Sequence, residues 1–284
     1  MPCLSKDSSL GDRSVFALSE SIERINASEA ATQVVLGLPS DGDWLHCAEL
    51  IAEPHRFTAW RETLSGWLAA NHQGRAPERT ANGYLLGWYL HVPAMLGSML
   101  FRLARRVPSL RPADLAFELD KDCPYPVRIA LLTGEYACLP TDSSAGLPGT
   151  TVLGDEQALA ALLRTRYIGH AAQFVRAYGQ TTRIGRRQLW GAATDALDGG
   201  AWYAGRYTGD EEQGVLDAAL LLPDREAPLT SGTKVYSVCG PDGSRVWTRR
   251  RESCCFYFAV AGAESACVTC PRVSDVDRAR RVLG

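Results

Sequence analysis

The sequence predicts a mostly helical α+β fold: a helical N-terminal layer, short central strands, then a helical domain that ends in a hairpin and a small C-terminal cysteine segment. Three observations predict it. Apolar residues recur at helical spacing through the first third and again beyond residue 155. Short apolar runs bounded by proline and glycine fill the middle. A Pro-Asp-Gly turn joins two short runs immediately before four clustered cysteines.

In the first third, helical spacing covers residues 15–31, residues 55–72, where Phe57, Trp60, Leu64, Trp67 and Leu68 share a face, and residues 75–107. The stretch 84–103 is the most apolar, but His91, Pro93, Ser98 and Arg102 interrupt it, so it reads as a buried helix rather than a membrane span. Pro108 and Pro112 close this layer, because proline has no amide donor and restricts the residue before it. Residues 115–119 and 127–132 read as short strands, separated by Cys123-Pro124-Tyr125-Pro126. Residues 141–154, rich in Ser, Gly, Thr and Pro, read as an exposed loop and the internal boundary. The expected division is an N-terminal helical/α+β region over 1–140, a helical region over 155–232 and a C-terminal segment over 233–284.

Helical spacing resumes over 155–178, opened by acidic residues that suit a helix N-terminus, and over 184–197, which Gly199-Gly200 are expected to end. A further helix over 211–221 is stopped by Pro223. Residues 234–238 and 245–249 flank Pro241-Asp242-Gly243, a hairpin signal.

With 284 residues, 46% apolar and 22% charged, the chain can bury a large core without crosslinks. A net charge of -2 gives no global attraction to nucleic acid or to an anionic membrane. Residues 1–20 alternate charge and polarity without an apolar run, which leads to the expectation of a cytoplasmic protein. Nine cysteines, an odd number, are then thiols or ligands rather than a disulfide framework. Five are scattered, while Cys254, Cys255, Cys267 and Cys270 fall within 17 residues.

Their spacing is C-C-x11-C-x2-C. A C-x-x-C pair lets two thiolates converge on one metal, as zinc and iron-sulfur sites both do. The adjacent pair favours iron and sulfur. Neighbouring side chains diverge, so they chelate a single tetrahedral ion awkwardly but can each reach one iron of a [2Fe-2S] cluster. On spacing alone a four-thiolate zinc knuckle that pins the C-terminus stays open, as does a set of buried small hydrophobes. Arg249, Arg250 and Arg251 either stabilise a reduced, more negative cluster or form a solvated strand end.

Ser253-Cys254-Cys255 and Cys267-Val268-Thr269-Cys270-Pro271 resemble the C-terminus of the FhuF-like ferric-siderophore reductases. The gap between the pairs is one residue longer than in that family, an excess the Ala261-Gly262-Ala263 stretch can absorb. A second resemblance lies in residues 183–197, where Leu189-Trp190-Gly191 is followed by small residues, a helix pattern shared with a domain of siderophore synthetases; the asparagine usual after that glycine is Ala192 here.

The resemblance implies a [2Fe-2S] cluster on Cys254, Cys255, Cys267 and Cys270 that passes single electrons to a ferric siderophore, releasing Fe(II) for iron acquisition. It implies no catalytic acid, base or nucleophile, and a separate donor such as a ferredoxin or a flavin-dependent reductase. Candidate substrate contacts are Arg183, Arg186, Arg187 and Trp190, each of which is also readable as an ordinary surface arginine or core tryptophan. No nucleic-acid partner is expected, and a weak peripheral association with the inner membrane is left open. The competing reading is a non-catalytic siderophore-binding or assembly module with a structural zinc site.

Overall fold

A computed structural model describes residues 8–72, 76–260 and 266–284, with the side chains of 8–14 outside the described set. About 51% is helix and 14% strand, so the fold is α+β and mostly helical. In chain order the elements are α1 (Ser8–Asn26), β1 (Gln33–Leu36), β2 (Trp44–His46), α2 (Cys47–Ala52), α3 (Arg56–Asn71), α4 (Glu78–Ala104), β3 (Val107–Pro108), β4 (Leu115–Leu119), β5 (Pro126–Leu131), β6 (Tyr136–Cys138), β7 (Thr150–Val152), α5 (Glu156–Gly179), α6 (Arg186–Tyr207), α7 (Glu211–Leu221), β8 (Val235–Cys239), β9 (Arg245–Arg249) and α8 (Asp275–Leu283).

The N-terminal layer is less purely helical than the apolar spacing predicts. β1 and β2, only four and three residues long, join β4 and β5 in a sheet ordered β1-β5-β4-β2, with β1 parallel to β5 and the other pairs antiparallel. The predicted loop at 141–154 contains β7, which pairs in parallel with β6. Within that stretch, Asp142 accepts hydrogen bonds from Arg106 at 2.7 and 3.0 Å.

α4 runs through the middle of the molecule, and 78% of its most apolar window is buried. Its composition resembles that of a membrane span because most of its surface packs against protein. It stops at Ala104 rather than 107, where Arg105 turns into the left-handed conformation at φ 48° and caps the last turn. The side chain of Asp155 caps α5 by accepting from the Ala158 amide at 2.7 Å, and Asp210 caps α7 through Gln213 at 3.1 Å.

Gly199-Gly200 do not end α6, which continues to Tyr207. Packing explains the glycines. A Cβ on Gly200 would lie 3.1 Å from the Ala94 carbonyl oxygen of α4, and one on Gly199 would lie 2.6 Å from the Arg249 guanidinium. The pair lets α4 and Arg249 approach the helix; glycine inside a helix costs about 1 kcal/mol each, which this close packing offsets.

His170 is a core residue, as its apolar helix suggests: its ring nitrogens meet the Leu110 carbonyl at 2.7 Å and the Tyr89 hydroxyl at 3.0 Å.

Candidate metal centre

The cysteine segment has little regular structure of its own, so its shape comes from what it packs against. Two carboxylates one turn apart on α6 hold the hairpin that leads into it. Asp198 accepts from the Thr233 hydroxyl at 2.6 Å and the Lys234 amide at 3.3 Å, just before β8. Asp195 accepts from the Glu252 amide at 2.7 Å, the Ser253 amide at 2.8 Å and the Ser253 hydroxyl at 2.5 Å, just after β9. Arg249 lies between them, donating to the Asp195 carbonyl at 2.6 Å and standing 3.8 Å from the Asp198 carboxylate. Burial outweighs these partners and lifts the Asp195 carboxyl to about 6.

Two glycines seat the cysteine backbone. A Cβ on Gly83 of α4 would come within 3.0 Å of the Cys255 carbonyl oxygen, and one on Gly191 of α6 within 3.3 Å of the Glu252 backbone. Gly191 is the glycine of the Leu-Trp-Gly pattern, so that pattern is a docking surface for the cysteine segment. Gln188 donates to the Cys254 carbonyl at 2.7 Å, and Thr80 to the Phe256 carbonyl at 3.2 Å. Phe256 adopts a left-handed conformation at φ 60°, reversing the chain directly after the adjacent cysteines.

The four sulfurs come together as two pairs. The Cys254 and Cys270 sulfurs are 4.0 Å apart, close to the ~3.8 Å spanned by two ligands about 2.3 Å from a tetrahedral ion. The Cys255 and Cys267 sulfurs share the Nη2 of Arg251, at 3.3 and 3.1 Å. A hydrogen bond from Cys267 and the Arg251 charge bring the Cys255 thiol down, whereas that same hydrogen bond raises Cys267, so the pair holds one proton between them. The adjacent cysteines therefore serve different partners, as two irons require and one ion does not. Among the described residues the Nε of Arg251 is buried without a hydrogen-bond partner, an orphan donor beside the sulfurs that suits a sulfide-containing group. Donor set, pairing and cation all fit a [2Fe-2S] cluster held by Cys254, Cys255, Cys267 and Cys270.

The C-x-x-C turn is held from the other side by Arg278 of α8. This fully buried guanidinium donates to the carbonyls of Val268 (2.8 Å), Cys270 (3.3 Å) and Val273 (2.9 Å) and to the Tyr236 hydroxyl (3.0 Å). The Ala261-Gly262-Ala263 stretch lies outside the described residues.

Arg183, Arg186, Arg187 and Trp190 do not line the cavities that reach the sulfurs. Arg186, Arg187 and the buried Trp190 border a separate cavity of about 390 Å³ with Arg225, and Arg183 borders another of about 370 Å³ beside Phe256. The cysteines open instead onto two cavities, each of about 390 Å³, that meet at Gly83, Gly87, Trp88, Arg251 and Cys255. Asp195, Arg278 and Gly83 are functional residues that motif spacing does not reveal.

Residues 251–272 match the FhuF 2Fe-2S C-terminal domain. No curated protein matches the chain. The match spans the arginine that contacts the sulfurs and all four cysteines, and supports an FhuF-like assignment, with a [2Fe-2S] cluster as the cofactor.

Proposed function

We propose that this FhuF-like iron-sulfur protein is a cytoplasmic ferric-siderophore reductase that releases iron by one-electron reduction. The observation that carries the reading is the position of Cys254 and Cys255, on the wall of a cavity large enough to admit part of a ligand. When bound, the [2Fe-2S] group supplies a single electron, received from a separate protein or flavin donor and passed to Fe(III), which hard oxygen ligands hold far more tightly than Fe(II).

The protein's own residues do the positioning. Arg251 places a positive charge against two sulfurs and favours the more negative, reduced state. Asp195 and Gln188 fix the backbone around Cys254, and Arg278 fixes the C-x-x-C turn, so that the ligands move little when charge changes. Tyr84 and Trp88 border the sulfur cavities and limit solvent there.

The test is anaerobic. Protein reduced with dithionite and freed of excess reductant is mixed with a ferric siderophore and ferrozine. Return of the charge-transfer bands in step with one Fe(II)–ferrozine per cluster is the expected result, together with a reduced-state paramagnetic signal that is absent in Cys255→Ser. Stoichiometric zinc in a colourless preparation, or a reduced cluster that the ferric complex leaves reduced, would overturn the reading and favour a binding or assembly module.

A further inference from the structure

Five arginines gather around the first turn of α6 without serving the fold. Arg186, Arg187 and Arg225 line one cavity, and Arg79 and Arg183 line the next. All five are exposed, and among the described residues none of them forms an ion pair or a hydrogen bond. Glu78 supplies the one carboxylate described in the two walls. Asp224 and Glu226 flank Arg225, and the second is taken up by Arg164 at 2.7 Å. α6 itself begins without an acidic residue in its first turn and without a capping side chain, so the positive end of its dipole adds to the field. In a chain of net charge -2 this face is a local excess of positive charge.

Two residues link the arginines to the cysteines. The Gln188 side chain donates to the Cys254 carbonyl at 2.7 Å, and the Phe256 amide donates to the Cys254 sulfur at 3.4 Å. Both line the cavity that Arg79 and Arg183 share, and the Arg79 guanidinium lies 5.9 Å from the centre of the Phe256 ring. Half-buried Phe256 and Ile184 thus form a small apolar centre inside a cationic rim, the layout of a protein interface. Neither arginine cavity is one of the two onto which the cysteines open, so a partner seated here leaves those free for substrate.

The charges do not suit a small anion. Each guanidinium stands in solvent, where one phosphate or carboxylate gains little from it, and together they spread over two cavities. Exposed like charges spread over a face instead steer a partner of opposite charge and speed its association. We propose that this face docks a small acidic electron-carrier protein, which hands one electron to the cluster across the edge of Phe256. The carrier's reduced centre is oxidised by one electron and the cluster is reduced by one, with no bond made or broken.

This inference rests on the reductase reading, which needs a donor, and the experiment separates the two. Flavodoxin hydroquinone is the probe: it is small and acidic, and its one-electron oxidation gives a blue semiquinone whose band stands clear of the cluster's. Anaerobic stopped-flow mixing with cluster-loaded protein reads the second-order rate constant. Arg186→Glu/Arg187→Glu should lower it about tenfold or more at about 20 mM salt, and the gap should shrink to about twofold at about 0.5 M, where the Debye length is about 4 Å. Arg183→Glu alone should lower it about threefold, whereas Arg24→Glu on α1, the same change of charge on an exposed residue elsewhere, should leave it unchanged. Cluster absorbance per chain and reduction by dithionite should match wild type throughout.

Equal low-salt rates for wild type and the double reversal, or no transfer from flavodoxin at all, would overturn the inference. So would an equal slowing with free reduced FMN, which would make the arginines a phosphate site. Slower reoxidation of the dithionite-reduced double variant by the ferric siderophore would also overturn it, giving the arginines to the chelate. Should the double reversal lose its cluster, Arg183→Glu against Arg24→Glu decides. A wild-type cluster that flavodoxin reduces and the ferric siderophore leaves reduced would instead sink the reductase reading while the donor face stands.

Discussion

Asp195→Asn tests whether the carboxylate of α6 positions the cysteine segment or only fills the core. At pH 7 the ionised side chain is costly: burial lifts Asp195 from 3.8 to about 6, so its charge disfavours the folded state by about 3 kcal/mol. Asparagine escapes that cost. Against this, its Nδ2 must face one of the amides of Glu252 and Ser253, orphaning a buried donor at about 1–3 kcal/mol, and the surviving hydrogen bonds lose charge assistance worth about 1 kcal/mol. The two effects nearly cancel, so global stability at pH 7 should change by no more than about 2 kcal/mol.

The pH dependence separates them. A carboxyl whose folded pKa is raised makes the protein more stable as pH falls through the window between the two values, because the folded state takes up the proton first. For Asp195 that gain is about 2 kcal/mol between pH 7 and pH 4.5, and asparagine cannot show it. Urea denaturation of cluster-free protein should therefore find the variant about 2 kcal/mol worse relative to wild type at pH 4.5 than at pH 7. Cluster content should fall in the same variant, because the backbone on either side of Ser253 loses its anchor. A stability difference identical at both pH values, with full cluster content, would refute the positioning argument.

Arg251→Gln removes a charge 3.1 and 3.3 Å from two sulfurs and should make the cluster potential more negative by on the order of 100 mV, read by redox titration of the paramagnetic signal. Arg278→Leu orphans the carbonyls of Val268, Cys270 and Val273 and should cost about 3 kcal/mol or more, with loss of cluster on gel filtration; unchanged melting would contradict the bracing role. His170 is held neutral by burial, its pKa lowered to about 4, so its contribution is intact above about 6.5 and is lost as pH falls. His91 is lowered in the same way and Asp198 is raised, so the test is a comparison: from pH 7 to 4.5 a His170→Gln variant should lose about 2 kcal/mol less unfolding free energy than its parent, and equal losses would argue against a neutral buried His170.

What the sequence makes legible follows from how local each signal is. α3 shows itself through the spacing of its apolar face, and α5 and α7 also through the acidic residues that cap them, since those signals lie within or next to one element. β1 does not, because its four residues gain their place only by pairing with β5, nearly a hundred residues later. Gly199-Gly200 mislead for a related reason: a glycine pair that stops a helix and one that admits a neighbouring helix look alike until the neighbour is present. The arginine run is not resolved by its pattern: β9 ends at Arg249, and only the packing of the following segment draws Arg249 and Arg251 into the site while Arg250 is exposed.

The same locality explains why spacing reveals the cysteines and not their supports. A C-C-x11-C-x2-C spacing names the ligands, but a segment whose described residues include one short 3₁₀ turn, Tyr257–Ala259, cannot by itself hold four sulfurs in place. Its rigidity is borrowed from elements spread over two hundred residues: Gly83 and Thr80 of α4, Gln188, Gly191 and Asp195 of α6, and Arg278 of α8. Helices hold such groups to tighter tolerances than loops do. A site that gains and loses charge works best when its surroundings need not reorganise, and preorganised donors meet that need. The Leu-Trp-Gly helix and the cysteine segment therefore form one functional unit, since Gly191 and Asp195 serve the Glu252–Ser253 backbone and through it the cysteines. A substitution at Gly191 should consequently act on the cluster as a ligand variant would, by moving Cys254, although no atom of α6 is itself a ligand.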